Sequence, residues 1–79
     1  MESNIEEFCE IIKFLNDKDL LVFHQVLLLE DEEKQLIYLR QNKTTLDGCL
    51  YNAYCAKVLV KDPIVYIKNE IISRFVRTI

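Results

Sequence analysis

The 79-residue chain predicts an all-α fold, a compact bundle of four or five short helices, and three observations carry that expectation. Gly48 and Pro63 are its only glycine and proline, whereas sandwiches and small barrels need many turns, built largely on Gly, Pro and Asn. Apolar residues recur at spacings of three and four along much of the chain, which is the period of one helix face. The polar breaks between those stretches are short and carry residues suited to capping helices. Residues 1–79 read as a single helical domain, because a chain of this size supports one core at most.

The first helix is expected over residues 4–15. Ser3 and Glu6 fit a capping box, in which the serine accepts from an early N–H and the glutamate reaches back. Ile5, Phe8, Cys9, Ile12 and Leu15 then trace an inward stripe, with Glu6, Glu7, Glu10 and Lys13 on the outer side. Asn16 to Asp19 break the pattern, and Asp17 or Asp19 is the expected cap of a second helix ending near Leu29.

That second segment, DLLVFHQVLLL from Asp19 to Leu29, is the most apolar in the chain: only Asp19, His24 and Gln25 interrupt it. A surface helix shows one apolar stripe and one polar face. Here apolar side chains lie nearly all round, so the helix must be covered on more than one side, and part of the cover is expected from another molecule. A strand reading would pair Leu20–Phe23 with Val26–Leu29. Neither run alternates, and His24-Gln25 makes a poor two-residue turn, so helix is preferred.

Carboxylates are favoured at a helix start and disfavoured at its end. The run Glu30-Asp31-Glu32-Glu33 therefore predicts a break near Glu30 or Asp31 and a third helix to about Gln41. Leu36 and Leu39 are its expected core pair, helped by Ile37. After a loop at residues 42–45, Thr44 and Asp47 form a second candidate capping box, with Gly48 in the first turn at a cost of about 1 kcal/mol. Leu46, Cys49, Leu50, Ala53, Ala56 and Leu59 trace the next stripe, to about Val60. Lys61-Asp62-Pro63 is the clearest boundary: Asp62 caps, and Pro63 occupies the first turn, where its missing N–H costs nothing. The last helix carries Ile64, Ile67, Ile71, Phe75 and Ile79 on one side. Val65, Ile72 and Val76 widen that side, which predicts either central packing or an intermolecular contact.

The net charge of -3 is unevenly spread, with the acids concentrated in residues 1–33 and the bases in the remainder. Such asymmetry can bring the two halves together or present an acidic face to a basic partner. Cys9, Cys49 and Cys55 contain no closely spaced pair, and an odd number leaves one unpaired in any disulfide scheme. The acidic opening MESNIEEFCE has neither the basic nor the apolar region of a secretory signal. A reducing, cytoplasmic setting is the expectation. No apolar run approaches the roughly 18–20 residues that cross a bilayer, so no membrane partner is expected. The preference for Ile, Lys and Asn over Ala and Gly suits an AT-rich genome, viral or bacterial.

Residue chemistry points to no catalytic, cofactor-binding or metal-binding residue. His24 is the single histidine and sits in the most apolar segment, where a structural role is the plain reading. A zinc site wants ligand pairs at C-x₂₋₄-C spacing, and Cys49 and Cys55 are six apart. Glu30–Glu33 lacks the spacing and loop glycine of a calcium loop, and consecutive carboxylates diverge around a helix axis. The expected protein is therefore not an enzyme. It is expected to act by protein–protein contact, as a regulatory or assembly protein that occludes or bridges partner surfaces, with a homodimer among its forms. The residues expected to make contact are Leu20, Phe23, Val26 and Leu27 in the apolar segment, Tyr51, Tyr54 and Tyr66, and Ile72 and Val76 on the last helix. Tyrosine suits such surfaces because it buries area while keeping a polar tip. The alternative is a small nucleic-acid-associated regulator with a basic face in the C-terminal half, drawn from Lys57, Lys61, Lys68, Arg74 and Arg77.

Overall fold

The computed structural model describes residues 2–42 and 48–76, with side chains from Asn4 onward within those ranges. It contains five α-helices: α1 (Glu2–Phe14), α2 (Asp17–Leu28), α3 (Glu32–Asn42), α4 (Cys49–Ala56) and α5 (Pro63–Phe75). A 3₁₀ turn at Lys57–Leu59 follows α4 directly. The protein is a compact all-helical bundle, as the apolar spacing predicts. Within the described residues, the segment weighed as a strand pair is helical.

The helix starts differ in chemistry from the expected ones. Because α1 begins at Glu2, Ser3 lies inside the helix instead of capping it from outside. The cap of α2 is Asn16, one residue ahead of Asp17 and three ahead of Asp19: its Oδ1 accepts from the Asp19 N–H at 2.8 Å, on an extended backbone. Asp17 and Asp19 then fall in the first turn, where carboxylates are favoured in general; Asp19 is buried, and its Oδ1 has no hydrogen-bond partner among the described residues. Asp31 immediately precedes α3, its carboxylate accepting from the Glu33 N–H at 3.2 Å, so the break falls where the acidic run places it. Gly48 precedes α4 as an extended N-cap residue rather than sitting in the first turn. The Thr44–Asp47 box, Leu46, Arg77 and Ile79 lie outside the described residues.

Asp62 is the N-cap residue of α5, but its side chain makes no capping bond. Its backbone is left-handed, with φ 53° and ψ 58°, a conformation that short polar residues tolerate better than most. In that geometry the Asp62 carbonyl, not the carboxylate, accepts from the Val65 N–H at 3.1 Å. Pro63 occupies the first turn as expected.

The core is assembled from all five helices. Phe8, Ile12 and Leu15 come from the first helix and its exit, Leu20, Phe23 and Val26 from α2, Leu39 from α3, Leu50 and Ala53 from α4, and Ile67 from α5. Phe8 stands at its centre, edge-on to Phe23 with centroids 6.1 Å apart and to Tyr66 at 6.4 Å. Both edge-to-face arrangements suit aromatic quadrupoles. The apolar helix α2 packs against α3, α4 and α5, so cover on several sides comes from this chain itself. Leu21 and Leu28 remain exposed on it.

Two stripes shift from their expected faces. In α3 Leu39 is the one buried apolar residue; Leu36 and Ile37 are exposed, and Gln35, four residues before Leu39, takes the second inward position. After Ala56 the expected α-helical phase is lost. A 3₁₀ turn advances about 120° per residue instead of about 100°, so Leu59 rotates out to solvent and Val60 becomes the buried residue. Cys49, placed on the inward stripe by spacing, is exposed at the start of α4.

Candidate protein contact surface

Contacts at the helix ends orient the candidate surface. The last carbonyls of a helix have no partner inside it. At the end of α1, Ile12 and Lys13 supply two of them, and Arg74 of α5 takes both: its guanidinium donates to their oxygens at 3.3 and 3.1 Å. The same side chain donates to Glu70 Oε2 at 2.8 Å and to Asp17 Oδ1 at 3.1 Å. Burial works against the guanidinium's charge, but the bonds to Glu70 and Asp17 outweigh it and hold Arg74 above the ordinary arginine range. One residue thus fixes the end of α5 to the corner between α1 and α2. With Phe8 against Tyr66 and Lys13 against Arg74, α1 and α5 run in the same direction.

That anchorage decides which side of α5 faces out. Ile67 is fully buried, while Ile64, Ile71 and Tyr66 are half-buried against the core. Val65, Lys68, Asn69, Ile72 and Ser73 are exposed, as is the C-cap residue Val76; Phe75, expected on the inward side with Ile67 and Ile71, is exposed as well, at the last residue of the helix. Val65 and Ile72, seven residues apart, lie in one row on the helix, and Val76 follows on an extended backbone. Ile72 is 53% exposed and Val76 58%. Phe14, 78% exposed at the end of α1, stands at the same end of the bundle as Arg74 and Phe75.

A second polar assembly closes the other end of α2. Gln35 is 5% exposed, and its Nε2 donates to the Val26 carbonyl at 3.1 Å and the Leu29 carbonyl at 2.6 Å. These belong to the C-terminal turn of α2, so a glutamine from α3 caps its neighbour. Lys57 Nζ donates to Gln35 Oε1 at 2.5 Å and lies 4.4 Å from the centroid of the Tyr54 ring. Burial lowers the Lys57 ammonium below the usual lysine value, with Glu32 partly opposing it. Burial and Glu32 both raise the Tyr54 hydroxyl, with smaller contributions from Cys55 and Tyr51.

These shifts have opposite signs in stability. Lys57 binds its proton less tightly in the folded state, so its contribution improves as pH rises from its lowered pKa toward 10.5; Tyr54 holds its proton more tightly, so its contribution declines above pH 10. Glu32→Gln removes a charge that raises both groups. Both titrations, followed by NMR of the Lys57 and Tyr54 side chains, are expected to move to lower pH. An unchanged pair would show that Glu32 does not act on them.

The expected contact residues separate by depth. Leu20, Phe23 and Val26 are fully buried in this chain's own core and present nothing at its surface. Leu27, Tyr54 and Tyr66 are half-buried, Tyr54 beneath Lys57 and Tyr66 against Phe8. Tyr51, Ile72 and Val76 are exposed. Phe14 escapes a reading by spacing because it lies off the Ile5–Phe8–Ile12–Leu15 stripe. That mismatch is the signal that marks it as outward. The Gln35 cap had a signal too, its place four residues before Leu39.

Elsewhere, His24 and Cys9 are half-buried and Cys49 and Cys55 are exposed free cysteines. Among the described residues, no three His, Cys, Asp or Glu side chains gather as a metal cage. No helix among them is long and apolar enough to cross a membrane. No family model, curated protein or solved structure matches the chain.

Proposed function

We propose that this protein works by stoichiometric contact with another protein, as a regulatory or assembly component, and that the outward face of α5 makes the contact. The observation that carries this reading is Val65 and Ile72, with Phe75 and Val76 at the helix end, exposed on a helix whose other side is already seated in the core. An outer helix normally turns charged and polar residues to water. Contiguous exposed apolar surface marks interaction sites more often than isolated apolar residues do. The nucleic-acid alternative draws less support, since Arg74 is tied to Asp17, Glu70 and two carbonyls, and Lys57 to Gln35 and Tyr54. That leaves Lys61 and Lys68 as the exposed cations of its described basic set.

The test is capture by the tagged full chain from its native lysate after nuclease treatment, in parallel with Ile72→Glu. A protein held in near-stoichiometric amount by the parent and lost by the variant is the expected result, with the circular dichroism of both unchanged. Capture that nuclease abolishes would overturn the reading in favour of nucleic acid.

A further inference from the structure

We infer that the cleft between α1 and α5 binds a small zwitterion, a free amino acid with an aliphatic side chain. Its carboxylate is held by Lys13 and Asn69 and its ammonium by Glu70. The inference is independent of the contact reading, since it draws on none of the exposed apolar residues of α5.

Shape sets the size of the ligand. The cleft has a volume of about 210 Å³ and is lined by Cys9, Ile12 and Lys13 of α1 and by Tyr66, Asn69 and Glu70 of α5. Spacings of three and four put each set on one face of its helix. The walls are fixed by contacts already made: Tyr66 stands edge-on to Phe8, and Arg74 ties α5 to the last carbonyls of α1. At about 30 Å³ for a water molecule, the space equals about seven waters, or an organic molecule of about seven to nine non-hydrogen atoms. Valine and leucine are of that size.

The lining sets its chemistry. Ile12 is 1% exposed, and Cys9 and Tyr66 are half-buried beside it, so this part of the cleft suits a hydrocarbon side chain. Lys13 and Asn69 are exposed, and their side chains have no hydrogen-bond or ion-pair partner among the described residues. Glu70 Oε2 accepts from Arg74 at 2.8 Å, which leaves Oε1 without a partner among those residues. Lys13 and Glu70 thus line one cleft from two helices without pairing with each other. A carboxylate alone would meet the Lys13 ammonium but lie against Glu70. An amine alone would meet Glu70 but lie against Lys13. A molecule carrying both charges answers both groups: its carboxylate accepts from Lys13 Nζ and Asn69 Nδ2, and its ammonium donates to Glu70 Oε1. Bonds between charged groups are the stronger kind, and a site built on them rejects analogues that lack one of them.

Amide NMR spectra of the full chain, titrated with L-valine and L-leucine to about 20 mM, decide the matter. The expected result is saturable shifts at Cys9, Lys13 and Asn69, with a dissociation constant of about 1 mM or tighter. Isocaproate, which is leucine without its ammonium, and isoamylamine, which is leucine without its carboxylate, should each bind at least about tenfold more weakly. Lys13→Met keeps the stem but not the charge, and should weaken leucine at least about tenfold with the circular dichroism unchanged. Shifts that stay linear with both amino acids, or that map away from α1 and α5, would overturn the inference. So would isocaproate or isoamylamine binding as tightly as leucine, or leucine binding unaltered in Lys13→Met.

Discussion

Phe8→Ala is expected to lower unfolding free energy by about 3–5 kcal/mol, the range for emptying a buried aromatic site. The residue is fully buried and meets Phe23 of α2 and Tyr66 of α5. One deletion therefore opens a cavity where three helices converge, and the flanking rings lose their edge contacts. A domain of this length has a total stability of about 4–12 kcal/mol, so the variant should be partly unfolded or melt at a much lower urea concentration. Phe14→Ala removes the same side chain from a site 78% exposed and should shift stability by no more than about 0.5 kcal/mol. Urea denaturation followed by circular dichroism measures both. Equal losses would mean that Phe8 does not occupy the core.

Gln35→Leu should cost about 2–3 kcal/mol despite its greater apolarity. Leucine fills similar space but cannot donate to the Val26 and Leu29 carbonyls or accept from Lys57. The Val26 oxygen keeps the Leu29 N–H as a partner at 3.1 Å. The Leu29 oxygen and the Lys57 ammonium lose theirs, and an unmade bond in a partly buried place costs about 1–3 kcal/mol. Lys57→Met should cost less, about 1 kcal/mol, because it leaves both glutamine-to-carbonyl bonds in place. Coupling is the sharper measurement: once residue 35 is leucine, Lys57→Met should lose part of its effect. Strict additivity in urea melts would show that the two side chains act independently.

These residues mark where sequence reasoning holds and where it stops. The apolar spacing of Phe8, Ile12 and Leu15, and of Leu50 and Ala53, identifies inward faces because each helix meets its neighbours along one side. It fails at Gln35, since no periodicity shows that the end of α2 will bring two carbonyls needing donors against α3. It fails again at Leu59, where a 3₁₀ turn rotates the following residues out of phase. Arg74 belongs to a basic half when read in sequence. In the fold it is a cap for α1, because Asp17, Glu70 and the Ile12 and Lys13 carbonyls converge on it.

The contact surface divides in the same way. The breadth of the apolar side of the last helix, from Ile64 and Ile67 round to Ile72 and Val76, is written in the sequence as a surplus that one flank cannot bury. The still more apolar α2 looks like the better surface by that measure, yet its Leu20, Phe23 and Val26 are buried by the rest of the chain. By itself, then, the sequence determined the helical class, the main breaks and the excess of apolar side chains, since these follow from local spacing, capping and composition. Only the tertiary structure decided which helix would be enclosed and which would keep an apolar face outward, because that choice depends on how many neighbours each helix has.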